Sequence, residues 1–321
     1  MMFSTALLNN MLSPMVLAFW LGVGATLLRT NFRVPQPVYT ALSIYLLFAI
    51  GIKGGGELRH AGLLAIVLPV LATLALGLIT PLTAYAVARR FVQLDRPNAG
   101  ALAAHYGSVS AVTFLAAQQF CRSLRVPCEG FMPSLIALLE VPAIIVALAL
   151  VQIREGRDSS LRDVIHEVVT GPSVLLMVSG ILIGYIAGPE RLKPVEPFFV
   201  SGFPGALVLF LFELGMVAAE ELPVMLRHGL KLGLFAVLVP LFHGVLGVAF
   251  GKVAGLSEGG CGVLGTMAAS ASYIAAPAAV RIALPEANPS LYLGCSLGIT
   301  FPFNLTLGIP LFFGFSHMLF S

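Results

Sequence analysis

Polar residues divide this chain into ten long apolar runs. They cover roughly 12–28, 36–52, 62–88, 98–121, 131–153, 170–188, 203–219, 230–251, 260–280 and 290–316. A helix needs about 20 mainly apolar residues to cross a bilayer, so each run reads as a spanning helix. Strands of a membrane barrel alternate apolar and polar positions over about ten residues. Stretches such as Ala61 to Gly77 are instead apolar on every side, which predicts an all-α membrane protein with ten transmembrane helices.

Composition agrees with the pattern. Apolar residues make up 58% of the 321 residues and charged residues 10%, against about 25% charged in soluble domains. The net charge of +3 is spread singly between the runs, so no basic stripe exists to bind nucleic acid. No Lys or Arg precedes the first run. It therefore lacks the basic start of a cleaved signal peptide and is expected to be a true span. Loops after the odd-numbered spans contain 11 of the 18 basic residues, from Arg29 to Arg281, and the opposite side contains seven. The positive-inside rule then places both termini outside the cell membrane.

Between spans 5 and 6 lies the longest polar stretch, Arg154 to Glu167, which divides the chain nearly in half. Phe48 to Leu58, FAIGIKGGGEL, aligns with Phe212 to Leu222, FELGMVAAEEL, and Arg59-His60 answers Arg227-His228. A shift of 162 pairs Gly100 with Gly262, Ser108 with Ser270 and Ser110 with Ser272. Apolar segments rich in small residues resemble one another by chance, but these matches keep one order along both halves. Five spans per half is an odd number, so homologous halves must lie in opposite orientations, as in secondary transporters. The expected organisation is a first five-helix repeat (1–153), a short cytoplasmic linker (154–168) and a second, inverted repeat (169–321).

In such transporters broken helices aim their positive N-terminal ends at an anion near the midplane. The fourth span of each half has suitable residues: Gly107, Ser108, Ser110 and Thr113 in one, Ser270, Ala271, Ser272 and Tyr273 in the other. Small residues also serve close helix packing. The placement of two clusters at equivalent positions favours a site for a small oxyanion, with the two breaks crossing face to face. Acids inside a membrane are costly, and Glu140 is deep in an otherwise uncharged span. Two roles fit it: a ligand or electrostatic support for a cation, or a protonated acid bonded to a neighbouring helix. Glu213 is the second such acid. Asn304 sits at membrane depth in ITFPFNLTL, suited either to a cation or to an interhelical hydrogen bond. Ser110, Thr113, Glu140 and Asn304 together are a candidate sodium site. Neither fourth span carries the acid expected of a proton antiporter.

Histidine plays a smaller part. His60, His166 and His228 fall between spans, His317 is near the end of the chain, and His243 stands alone in span 8; His105, beside the candidate site, suits a structural hydrogen bond. Cys121, Cys128, Cys261 and Cys295 have no metal-ligand spacing and read as small core residues. No serine has a base in a supporting motif, and Gly54-Gly55-Gly56 lacks the Lys-Ser/Thr of a phosphate loop. Nothing points to an enzyme or to a cofactor other than a coupling ion.

HYGSVSAVTF, LLEVPAI, MAASASY and ITFPFNLTLGIPL, in that order, resemble the SbtA-type sodium-dependent bicarbonate transporters known best from cyanobacteria. The resemblance runs over nearly the whole chain. It implies ten helices in two inverted repeats, outward termini, a homotrimer in the inner membrane and no enzymatic activity. It also implies an elevator mechanism, with spans 1, 2, 6 and 7 as gate and spans 3–5 and 8–10 as moving core. The bicarbonate site would fall on Gly107, Ser108, Ser110, Ser270, Ala271, Ser272 and Tyr273. The coupling sodium would fall on Thr113, Glu140 and Asn304. One departure is the linker, which is short here and long in cyanobacterial members, so regulation by a PII-like partner is not expected to carry over. The activity implied is sodium-driven bicarbonate import. The alternative is sodium-coupled symport of a small organic anion on a scaffold like that of the bile-acid transporters.

Overall fold

The computed structural model describes residues 2–30, 32–155, 161–226 and 229–321, and every regular element among them is helical. Fourteen helices follow in chain order: α1 Met2–Met11, α2 Pro14–Leu27, α3 Gln36–Leu58, α4 Leu63–Val87, α5 Arg96–Gly107, α6 Ala111–Leu124, α7 Met132–Glu155, α8 Leu161–Thr170, α9 Pro172–Leu192, α10 Phe203–Leu226, α11 Leu230–Val253, α12 Glu258–Ala268, α13 Ala276–Ala283 and α14 Pro289–Phe320. Eight segments among the described residues are long and apolar enough to cross a membrane, α5 and α6 together forming one of them.

The other two predicted spans are not single long helices. The first is α2, only 14 residues long, started by Ser13 accepting the Val16 amide and by Pro14 at the first helical position. Ahead of it the structure adds α1, whose Asn10 donates to the carbonyls of Leu305 (2.9 Å) and Thr306 (3.3 Å) in α14. The ninth is divided into α12 and α13. Part of the polar linker is also helical: α8 includes His166, and its apolar residues Leu161, Val164, Ile165, Val168 and Val169 recur at helical spacing. Arg157 and Asp158 of the linker, and Arg227 and His228 of the internal match, lie outside the described residues.

Each mid-span proline of α14 is preceded by a widened turn. π-helical segments at Gly294–Thr300 and Asn304–Gly308 end two residues before Pro302 and Pro310. A proline has no amide to return to the preceding turn and its ring crowds that turn's carbonyl, which is the condition under which an α-helix widens.

Two helix pairs organise one side of the molecule, α3 with α9 and α2 with α10. Their glycines touch backbone in matching fashion. A Cβ on Gly51 would meet the Met177 carbonyl oxygen at 2.4 Å, and one on Gly215 would meet that of Phe19 at 2.0 Å. In return, a Cβ on Gly180 would stand 2.6 Å from the Phe48 oxygen and one on Gly22 2.0 Å from that of Phe212. Only glycine permits such approach. A third match joins the remaining helices: Gly100 packs on Val151 of α7 and Gly262 on Phe313 of α14. Within this second group, α4, α5 and α7 pack together, as do α11, α12 and α14. The α5–α6 segment is the most enclosed, with 94% of its most apolar stretch buried. That is where a bilayer protein can tolerate interrupted backbone.

Candidate functional site

Asp95 caps α5 by accepting the Asn98 amide at 2.9 Å, and the helix stops at Gly107. Here glycine is required by space, because a Cβ would sit 2.7 Å from Cβ of Pro81 in α4. Ser108 and Ser110 are extended, and Ser110 Oγ accepts the Thr113 amide at 3.1 Å to start α6. Thr80 Oγ donates to the Gly107 carbonyl at 3.1 Å, satisfying one group freed by the break. The second break runs from Ala269 to Ala275. Ser272 Oγ accepts the Ala276 amide at 3.2 Å, at the start of α13.

The two breaks bond to one another. Ser110 N–H donates to Ser270 Oγ at 2.8 Å, and Ser272 N–H donates to the His105 carbonyl at 2.8 Å. The second serine of each break thus caps its own half-helix with its hydroxyl and reaches the opposite break with its amide. Asn304 of α14 holds the second break from behind, its Nδ2 donating to the Ala269 carbonyl at 2.8 Å. His105 has the structural bond expected of it, Nδ1 to the Ala101 carbonyl at 2.8 Å, with its ring stacked on Tyr292.

A small cavity opens beside this crossing. Ser110, Glu140, Ser272 and Tyr273 line it together with Leu47 of α3 and Ser173 of α9. Its volume is about 10 Å³, room for roughly one water. No Lys or Arg lines it, so an anion there would rely on amides, hydroxyls and half-helix ends. Buried polar atoms left without a hydrogen-bond partner at the crossing include Ser108 Oγ, His105 Nε2 and Asn304 Oδ1, while the Tyr273 hydroxyl lies beside the Ser110 side chain. The Ser108 and Tyr273 hydroxyls can donate to an oxyanion, and Asn304 Oδ1 can only accept, as a cation ligand does.

Of the sequence candidates, Gly107, Ser108, Ser110, Ser270, Ala271, Ser272 and Tyr273 all fall in or next to the two breaks, and Glu140 shares the cavity with Ser110. Thr113 is buried in the first turn of α6 and Asn304 lies behind Ala269; neither lines the cavity. Glu213 is elsewhere, on α10 beside Val34 and Arg33. Sequence reasoning missed Leu47 and Ser173, since nothing in the patterns of α3 and α9 distinguishes those positions from ordinary helix interior. Ser173, Ile274 and Ala275 also line a second cavity, of about 130 Å³, between α7, α9 and α13. The two spaces are therefore neighbours with a shared wall.

The sequence profile of the Na+-dependent bicarbonate transporter superfamily matches residues 14–317. The chain belongs to that superfamily. The match takes in both breaks, Glu140 and Asn304, leaving out α1 and the last four residues. No individually curated protein matches the chain. Membership points to a sodium-dependent bicarbonate transporter, and the apolar helices are those of a multi-pass membrane protein.

Proposed function

We propose that the protein imports bicarbonate by symport with sodium, binding both ions where the two broken helices meet. The observation that carries this reading is the reciprocal bonding of the breaks, Ser110 to Ser270 and Ser272 to His105. It brings the starts of α6 and α13 together with the unpaired Ser108 hydroxyl and with the Tyr273 hydroxyl beside Ser110. Bicarbonate would accept from these hydroxyls and from first-turn amides of the two half-helices, with Gly107, Ala271 and Ser270 supplying small walls. Sodium would take oxygens from Ser110, Thr113, Glu140 and Asn304.

Charge explains the need for the cation. The cavity wall offers one carboxylate, Glu140, and no positive side chain. A bicarbonate beside ionised Glu140 would be repelled in a medium where charges are poorly screened. A sodium ion between them reverses that term, and by linkage each ion raises the affinity for the other equally.

The proposed architecture is ten spans in two inverted repeats, counting α2 and the α12–α13 unit as spans. The matching glycine contacts of Gly51 with Gly215, Gly22 with Gly180 and Gly100 with Gly262 support it. In an elevator cycle α2, α3, α9 and α10 would be the gate, and α4–α7 with α11–α14 the core. The site cavity lies between these groups, since Leu47 and Ser173 come from the gate and the other lining residues from the core. With room for about one water, this cavity must open to admit the anion, which relative movement of the groups would do. The termini would face outward from the inner membrane, and the working unit would be a homotrimer.

Uptake of labelled bicarbonate into proteoliposomes tests the reading. An inward sodium gradient should drive saturable accumulation above the external concentration, and an equal potassium gradient should not. Accumulation with potassium, or none with sodium in folded protein, would overturn symport.

A further inference from the structure

The chain reverses direction where α6 ends. Arg125 is left-handed (φ 56°), and its amide donates to the Arg122 carbonyl at 3.1 Å. This turn returns Cys128 to the neighbourhood of Cys121, with the Cys128 thiol 3.8 Å from the Glu129 carbonyl oxygen. Both side chains belong to one apolar cluster, Cys121 buried and Cys128 partly so. The Cys121 thiol also points at the Val126 carbonyl, 3.7 Å away. Gly259 of α12 makes room for it, since a Cβ there would stand 2.5 Å from the sulfur.

The loop that carries this pair is fixed to the start of α12. The Pro127 carbonyl accepts from the Gly259 amide at 3.0 Å and from Ser257 Oγ at 2.8 Å. Glu129 accepts from the Ser257 amide at 2.7 Å. Ser257 is itself the cap of α12, accepting the Gly260 amide. The Cys121 thiol therefore lies beside the first turn of α12.

We propose that Cys121 and Cys128 are an oxidisable dithiol, closed to an intramolecular disulfide by a disulfide-bearing oxidant. Cys128, the more exposed, reacts first: its thiolate attacks one sulfur of the oxidant, the oxidant's S–S bond breaks, and one thiolate leaves. Cys121 thiolate then attacks the Cys128 sulfur, forming the internal bond and expelling the second thiolate. The two cysteine protons end on the two leaving groups, so one external disulfide is reduced to two thiols as the protein dithiol is oxidised. The new bond would tie the end of α6 to the loop that caps α12. Its formation in cells rests on the orientation proposed above, which exposes this loop to the outer, oxidising side. The capacity of the pair to form it does not.

The test uses the full chain in proteoliposomes, treated with oxidised glutathione, quenched in acid, denatured and alkylated with a maleimide. The four cysteines are free in the structure, so reduced protein should take four maleimides and oxidised protein two. Trypsin cuts at Arg122 and Arg125 and separates Cys121 from Cys128. The oxidised sample should therefore contain these two peptides joined, and reductant should part them. Cys128→Ser should take three maleimides before and after oxidation. Four additions after oxidation, a bond to Cys261 or Cys295, or a glutathione adduct that never resolves would each overturn the proposal. Cells quenched directly in acid separate the two readings. A joined pair found there supports both. One formed only by added oxidant supports the dithiol and overturns the outward placement of the loop.

Discussion

Ser108→Ala separates a binding hydroxyl from a structural one, because Ser108 Oγ is buried without a partner. A buried unsatisfied polar atom costs a folded protein about 1–3 kcal/mol. Removing it by the smallest change should leave stability unchanged or raise it by about 1 kcal/mol. The backbone raises no objection, since Ser108 is extended at φ −85° and ψ −176°. Binding should move the other way. A hydrogen bond to a charged group is worth about 1.5–3 kcal/mol. At 1.4 kcal/mol per decade this predicts a bicarbonate KM raised about ten- to hundredfold. Initial uptake rates in proteoliposomes over a range of bicarbonate, at fixed sodium, give the KM; thermal unfolding in detergent gives the stability. A variant that melts lower and transports with an unchanged KM would show that the hydroxyl serves packing, and would remove Ser108 from the site.

Ser110→Ala should do what Ser108→Ala does not: it deletes the cap that accepts from Thr113, so thermal stability should fall by about 1 kcal/mol. Glu140→Gln removes the only carboxylate of the cavity lining, and the sodium concentration for half-maximal uptake should rise about tenfold or more; an unchanged sodium dependence would take Glu140 out of the coupling. Gly51→Val and Gly215→Val both drive a side chain into a carbonyl oxygen across a helix pair. Each should lower stability by about 1–3 kcal/mol or more, and very unequal losses, measured by thermal unfolding, would count against equivalence of the two pairs.

Much of this molecule is legible from its patterns. Long apolar runs mark eight of the spans, and the serine clusters mark one break between α5 and α6 and another between α12 and α13. What the sequence does not reveal is how the pieces meet. The break expected at Ser270–Ser272 leaves α12 and α13 only 11 and eight residues long, shorter pieces than the apolar run 260–280 suggests. Charge hid α8, whose helical spacing is plain once charges are ignored. Cys121 and Cys128 are seven residues apart with no motif between them, and only the left-handed turn at Arg125 brings their thiols together. Ser173 could not be found at all, because its importance comes from α9 facing the crossing.

The internal sequence match reappears in the packing of α2, α3, α9 and α10. Phe48 was matched to Phe212 and Gly51 to Gly215 as letters, at a shift of 164. In three dimensions the carbonyl oxygens of Phe48 and Phe212 are the atoms facing Gly180 and Gly22, while Gly51 and Gly215 face those of Met177 and Phe19. The partners differ by a constant 158, the shift expected if α2 and α9 are equivalent. Gly184 and Thr26 keep the same offset: one abuts the Ile52 oxygen, and the other donates to that of Met216 at 3.3 Å. Chance similarity between small-residue segments explains matching letters. It does not explain why one pair of shifts relates both the residues and the backbone atoms they touch, which is what two copies of one fold related by an axis would require.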